Sequence, residues 1–359
     1  MHFINKIKNF KNIYLVIITT LLFLNTIFIL ELHAVSFKVS KVEISEEFNL
    51  NFSKKKVFDT AFSKAFDQLT SMIVTSKDKN KLKNVKLSTI KNLVDSFNVS
   101  DEEFIDDKYF ATFSINFNKK NTLKFFERKN IFASIPKKLD ILFIPVLIDL
   151  DEEKLIIFTN NPIYNNWNNN QKKYDLLNYI LPNEDIEDRD TLSKNLKNIE
   201  DYDFEEIIQK YDLDDFIVNI VFKNKNELKI LSKVQLNNNY KIINTTYDKV
   251  NLDNKESVFK LVNNLKIIYE DNWKGINKIN TSIKLPLTVY LSSNNHHKIQ
   301  SFENTMNNLD LVSDFYILSF DNKNIFYKII YNGSPDKFLR EVKENGLQII
   351  KDDKNWYVE

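Results

Sequence analysis

The 359-residue chain contains no cysteine and three glycines. Without cysteine it has no thiolate nucleophile, no disulfide and no cysteine-ligated zinc site. Gly275, Gly333 and Gly346 each stand alone in the sequence. Phosphate-binding loops, dinucleotide-binding fingerprints and nucleophile elbows need at least two glycines within a few residues. The composition therefore excludes several common catalytic and nucleotide-binding sites, and we expect no cofactor.

Arginine is also scarce, because only three of the 50 basic residues are arginines, and the formal net charge is +1. Proteins that bind nucleic acids usually carry a basic excess and use arginine to contact phosphate and guanine. We therefore expect no nucleic-acid partner.

Hydrophobic residues make up 43% of the chain and aromatic residues 13%, enough for a large core. This length predicts two or three domains. Asparagine and aspartate tolerate left-handed backbone angles, so we expect them to form turns in place of glycine.

The amino-terminal segment, residues 1–34, resembles an export signal. An apolar run over residues 13–30 follows three lysines, Lys6, Lys8 and Lys11. A basic region followed by an apolar stretch is typical of secretory signals, and Ala34 suits the small-residue position before a cleavage site. We expect cleavage near Ala34 and a soluble periplasmic protein. The alternative is a retained inner-membrane anchor, since a run of 18 residues, interrupted only by Thr19, Thr20, Asn25 and Thr26, is near the minimum length for a membrane span.

A buried core helix is a third interpretation of residues 13–30, but it does not explain the basic flank or the terminal position. In the two export interpretations, everything after Ala34 lies outside the cytoplasm. No cysteine follows the apolar run, so lipid attachment at such a residue is excluded.

The rest of the chain predicts a mixed α+β and α/β protein of three modules, residues 35–134, 135–275 and 276–359. In the first module we expect a strand and a helix with an apolar stripe, then a helix over 88–97 and a strand over 109–118. The aromatic side chains of that stripe are more typical of a core than of a ligand groove.

The middle module is predicted to be a helix-covered sheet. Residues 139–150 form a nearly continuous apolar run, which suits a strand covered on both faces. We expect helices over 166–180 and 204–211, three further strands after residue 215, and a long amphipathic helix over 256–274.

The carboxy-terminal module is predicted to be ferredoxin-like. Its pattern is strand, helix, strand, strand, helix, strand, which is the split βαβ arrangement. Ser334 and Pro335 suit a helix start, and Gly346 suits a left-handed helix end.

Candidate chemistry is sparse. His296 and His297 are adjacent, so on a helix they point about 100 degrees apart and do not chelate one metal as i, i+4 histidines do. We expect them to be surface residues, with weak metal affinity as the alternative. No metal site is predicted.

Among several acidic clusters, the segment 181–190 is the main candidate. Calcium binding or paired catalytic carboxylates are possible functions for such a cluster, but it lacks the EF-hand spacing and central glycine. Solvated loop carboxylates are the default expectation.

This segment resembles a motif of the domain of unknown function 2066 family, which consists of exported proteins of Gram-negative bacteria. The matching residues follow the pattern LPxxDxED: Leu181, Pro182, Asp185, Glu187 and Asp188. Residues 211–218 are similar to the family's YGADAVLVG stretch, and the resemblance covers about residues 36–245. This chain has Asp212, Asp214 and Asn219 where the family has small residues. The resemblance implies export and an α/β fold but no assigned activity.

Two hypotheses for function follow. The first is a non-enzymatic envelope protein whose modules bind other envelope proteins, in an oligomeric state that the sequence does not specify. The second is a periplasmic hydrolase that uses Asp185, Glu187 and Asp188, with calcium as an optional cofactor. The hydrolase requires these carboxylates to converge in a concave pocket with a raised pKa.

Overall fold

The computed structural model describes residues 37–169, 171–172, 174–351 and 356–359. The predicted signal or anchor segment, residues 1–34, lies outside these residues. In the described part of the chain, no helix combines the length and apolarity needed to cross a membrane. Residues 35–359 form one unit that contains three β-sheets.

The first sheet is antiparallel, with strand order β1-β3-β2. The elements in chain order are β1 (Lys38–Glu47), α1 (Lys54–Ile73), α2 (Ser76–Lys79), α3 (Leu87–Leu93), β2 (Val94–Ile105), β3 (Lys108–Phe117) and α4 (Lys119–Arg128). Helix α1 buries the predicted apolar stripe, which includes Ala61, Ala65 and Leu69. The inward side chains of β3, such as Phe113 and Ile115, belong to the same core.

The predicted helix over 88–97 was wrong beyond its first half. Helix α3 ends at Leu93, and the chain continues directly as edge strand β2. Ile90, Leu93 and Phe97 have the spacing of a helical stripe, but Val99 pairs with Phe113 across the sheet. Because pairing with strand β3 decides between the two conformations, the local period was misleading.

The second sheet has the order β5-β4-β7-β8-β9, and β6 also pairs with β4, in parallel. Strands β4 and β7 are also parallel. The pairs β4–β5, β7–β8 and β8–β9 are antiparallel. The elements are β4 (Leu139–Asp149), β5 (Lys154–Ile156), α5 (Pro162–Trp167), β6 (Leu177–Ile180), α6 (Ile186–Lys194), α7 (Glu205–Ile208), β7 (Phe216–Asn224), β8 (Glu227–Leu236), β9 (Asn239–Tyr247) and α8 (Lys255–Ile276).

Strand β4 is covered on both faces, as its apolar run predicts. Ile141 and Phe143 belong to one core with residues of α5 and α8. Leu142 and Ile144 alternate with them and belong to a second core with residues of α6 and α7. The middle module is therefore a sheet between two helical layers.

The predicted helix over 166–180 was wrong. Helix α5 ends at Trp167, and Leu177–Ile180 is strand β6, in which Leu177 pairs with Leu139 of β4. A short apolar run cannot be assigned to helix or strand by periodicity alone. Here the open edge of β4 decides the conformation.

The third sheet has the order β11-β12-β10-β14-β13. Its elements are β10 (Leu285–Ser292), α9 (His296–Asn308), β11 (Val312–Phe320), β12 (Asn324–Tyr331), α10 (Pro335–Glu344), β13 (Ile349–Lys351) and β14 (Trp356–Val358). The predicted strand and helix order is confirmed, consistent with a ferredoxin-like module. Strand β14 lies parallel to β10, and β13 pairs with β14 on its outer side.

Turns in the described residues use few glycines. Gly346 has the left-handed φ of +81° expected at the end of α10. Among the described residues, thirteen others have a positive φ, and seven of these are aspartates or asparagines: Asp101, Asp106, Asp107, Asn130, Asp212, Asn237 and Asn238. The expectation that these residue types replace glycine in turns is confirmed at these positions.

Candidate functional site

The acidic segment 181–190 forms the start of a helix. Asp185 is the N-cap of α6, and its Oδ1 accepts a hydrogen bond from the backbone N–H of Glu187 at 2.8 Å. Glu187 lies in the first turn with an exposed side chain. Carboxylates at a helix amino terminus satisfy free N–H groups and interact favourably with the helix dipole.

Lys210 forms ion pairs with the carboxylates of Asp185 and Asp188. Its Nζ lies 2.7 Å from Asp185 Oδ2 and 2.6 Å from Asp188 Oδ1. This contact lowers the pKa of Asp185 and raises that of Lys210. Asp188 is only 4% exposed. A general acid requires a raised pKa, so this geometry is that of a lysine-stabilised helix start and does not favour acid–base catalysis.

The other two motif residues connect β6 to this helix. Leu181 packs against the core that contains Trp167. The carbonyl of the buried Pro182 accepts a hydrogen bond from the Tyr164 hydroxyl at 2.8 Å. The motif residues thus lie together in the connection from β6 to α6. The contacts described above are with other residues of the same chain.

His296 and His297 are exposed in the first turn of α9, as predicted, and Asn295 caps that helix through the backbone N–H of Lys298. Within the described residues, no group of three or more histidine, aspartate or glutamate side chains is arranged to hold a metal ion.

The exposed edge of the third sheet is a different kind of candidate. Strand β11 pairs with β12 on one side only. Its outer half, residues 316–320, is uncharged and exposed, and its large apolar side chains are Tyr316, Ile317, Leu318 and Phe320. A bulge between Ile317 and Ser319 interrupts the register with β12. We name residues 316–320 the apolar edge.

The long edge strands elsewhere in the described structure carry charges. Strand β2 includes Asp101, Glu102 and Glu103, and β9 includes Lys241. Strand β13 is only three residues long. Charge and short length are the usual means by which sheet edges avoid pairing with other chains. The apolar edge has neither of these protections.

A cleft of about 180 Å³ lies between helices α1, α2 and α8 and the side chains of Lys172, Tyr174 and Asp175. Asp271 and Lys274 of α8 connect the first two modules there. Asp271 accepts hydrogen bonds from the backbone N–H and hydroxyl of Ser76, at the start of α2. Lys274 Nζ donates to the carbonyl of Ser71, near the end of α1, at 2.6 Å.

Glu270 is the most perturbed acid of this cleft. Its Oε1 accepts the backbone N–H groups of Leu176 and Leu177 at 2.9 and 2.8 Å. Burial raises the pKa of Glu270 to about 7, although the two N–H groups and Lys274 oppose the shift. An acid with a pKa near neutrality in a cleft is a candidate functional group.

This cleft was not predicted from the sequence. The available signal is the series Lys266, Glu270 and Lys274, which places a charged side chain every four residues beside the apolar stripe of α8. Residues four apart lie on the same face of a helix, so the pattern indicates charged side chains that lie in a buried interface.

Comparison with known proteins does not identify a family. No family model matches the chain, and no curated protein matches it significantly. A solved structure described as an uncharacterized protein is 10% identical, with a TM-score of 0.16, over 39% of this chain and 91% of that chain. A likeness this weak indicates neither fold nor function. The resemblance to the domain of unknown function 2066 family stays a prediction.

Proposed function

We propose that this chain is an exported envelope protein, similar to the domain of unknown function 2066 family, that binds other envelope proteins without catalysing a reaction. The partner adds an extended segment to the apolar edge of β11. The proposal of export is supported by the lysines before the apolar run 13–30 and by Ala34 after it. Mass determination of the mature amino terminus tests cleavage near Ala34 against a retained anchor.

The observation that carries the binding function is the uncharged, exposed edge of β11. An edge strand presents main-chain donors and acceptors that pair with an extended segment, and adjacent side chains give specificity. Phe320 is 78% exposed and Leu318 53% exposed. The cost of leaving these side chains in water is offset when a partner covers them. We infer that the partner segment is itself uncharged and apolar at alternate positions.

The test is photo-crosslinking in the source cells with the full chain. A photo-reactive phenylalanine analogue replaces Phe320, or replaces Ile283 as a matched control, because Ile283 is also an exposed apolar residue at 48%. We expect a crosslink to one partner chain from position 320, mapping to an extended segment, and none to that chain from position 283.

A second substitution, Ile317→Lys, places a charge at the apolar edge and should abolish that crosslink, since edge charges oppose strand addition. Crosslinks only between copies of this chain would replace the proposed partner with a second copy. Crosslinks only to lipid, or none, would overturn the proposal.

A further inference from the structure

We propose that the cleft beside α8 binds a small molecule carrying an anionic carboxylate or phosphate group, and that Lys266 is its main contact. This inference is independent of the apolar edge. It depends on a buried ammonium group that lines the cleft and has no hydrogen-bonded acceptor among the described residues.

Lys266 lines the cleft and is 7% exposed. Its Nζ has ring contacts, at 5.6 Å from the ring centre of Trp167 and 5.5 Å from that of Tyr179. Among the described residues it has no carboxylate at ion-pair distance and no hydrogen-bond acceptor. Burial lowers the pKa of Lys266, and the more distant carboxylates of Asp175 and Glu270 offset only part of this effect.

The two rings that contact Lys266 also have unused polar atoms. The indole Nε1 of Trp167 and the hydroxyl of Tyr179 are buried and have no hydrogen-bond partner among the described residues. Ammonium and indole N–H groups can only donate hydrogen bonds. Burial keeps the Tyr179 phenol neutral, since it raises the pKa well above 10. Lys266 and Trp167 therefore offer only donors, and the Tyr179 hydroxyl can donate or accept.

The other charges of the cleft are already engaged. Lys274 donates to backbone carbonyls, Lys79 donates to the Ser71 hydroxyl, and Asp271 accepts from Ser76. Asp175 accepts the backbone N–H of Lys172, whose own ammonium lies near the ring of Tyr174. Among the described residues that line the cleft, the ammonium groups without an ion pair or a hydrogen bond are therefore those of Lys266 and Lys172.

The size of the cleft limits the ligand. The cleft has a volume of about 180 Å³. This is room for a small molecule such as a short dicarboxylate or inorganic phosphate. We expect the anionic group to pair with Lys266 and the rest of the ligand to face Lys172 and the cleft opening.

The test is isothermal titration of the full chain with succinate and with inorganic phosphate, each up to 10 mM. We expect saturable binding of at least one probe. Lys266→Met keeps the length of the side chain and removes the charge, and it should weaken binding at least tenfold. The control Lys260→Met lies on the same helix with an exposed side chain and should leave the affinity unchanged.

A measurement on the unmodified protein covers the case in which Lys266→Met does not fold. Acetic anhydride labelling followed by mass spectrometry reports the reactivity of each lysine. The binding probe should protect Lys266 and leave Lys260 unaffected. Absence of saturable binding for both probes, or labelling of Lys266 that a bound probe does not change, would overturn the proposal. Preference for succinate or for phosphate identifies which source of the anionic group the cleft accepts.

Discussion

The carboxylate of Glu270 lies 2.8 Å from the backbone N–H of Leu177, and this hydrogen bond joins helix α8 to the first residue of β6. Glu270 also accepts the N–H of Leu176, and Leu177 begins the parallel pairing with β4. One buried acid thus connects the cleft with the edge of the middle sheet. Its ionisation links the stability of this region to pH.

We predict that Glu270 makes the protein less stable as the pH rises from about 5 to 8. The pKa of Glu270 is about 7 in the folded chain against 4.5 for an ordinary glutamate. The folded state therefore binds the proton more tightly, so the stabilisation is complete below pH 4.5 and lost as the pH rises to about 7. The shift corresponds to at most about 3 kcal/mol.

The measurement is urea unfolding of the wild type and Glu270→Gln at pH 5 and pH 8. Lys274 and Asp175 also influence this acid, and they are unchanged in both proteins. The difference in unfolding free energy between wild type and variant should therefore report Glu270. If that difference is the same at both pH values, Glu270 does not have the assigned pKa.

Alanine substitutions at two glycines should have opposite effects. A Cβ at Gly333 would lie 2.6 Å from the Tyr331 ring. That ring is fully buried, and its hydroxyl donates to Glu341 at 2.7 Å, so it cannot move away freely. We expect Gly333→Ala to destabilise the protein by about 1–3 kcal/mol, the usual cost of overpacking.

Gly275 lies inside α8, and a Cβ there meets no atom within 4 Å. Gly275→Ala should therefore stabilise the protein by about 0.5–1 kcal/mol, because alanine loses less backbone entropy in a helix. Thermal unfolding of both variants measures the two effects. Equal effects of the same sign would show that the space around the two Cβ positions does not decide the outcome.

Replacement of Lys210 tests whether the acidic segment 181–190 has a structural role. Lys210→Met leaves the buried Asp188 without its cation, and we expect a loss of about 1–2 kcal/mol, reduced because Lys210 is partly exposed. Adding Asp188→Asn removes the unpaired charge and should recover part of the loss. The measurement is urea unfolding of the single and double variants.

Lys260→Met is the matched control for Lys210→Met. The Lys260 ion pair with Glu256 is exposed on both sides, so its removal should leave the stability nearly unchanged. A hydrolytic activity that disappears in Asp188→Asn while stability is unchanged would contradict the structural role and favour the hydrolase hypothesis.

Much of the fold could be predicted because the apolar patterns are strong. The stripe of α1, the continuous run of β4 and the element order after residue 285 each specify one arrangement that buries their apolar side chains. The errors fell on β2 and β6. In both segments the local pattern fitted a helix, but pairing within a sheet decided otherwise. Residues 94–97 pair with residues 115–117 of β3, and β6 pairs with β4.

The acidic segment was predicted as the main candidate, but its geometry required the structure. Aspartate side chains such as those of Asp185 and Asp188 can bind metal ions or act as acids and bases. Only the fold places Lys210, which is 22 residues from Asp188, on both carboxylates. The spacing of residues in the sequence does not give the distance between Lys210 and the two carboxylates. A helix cap and a catalytic pair of carboxylates therefore cannot be distinguished from the sequence alone.

The sequence by itself determined which kinds of catalytic and binding site are excluded and which residue types form many of the turns. Without cysteine and with three isolated glycines, thiolate sites and glycine-rich loops are excluded, and asparagine and aspartate provide many of the turns. Only the tertiary structure decided which charges are buried and which edge is open. Burial raises the pKa of Glu270 and leaves Lys266 without an acceptor, because both effects depend on side chains brought together from distant parts of the chain.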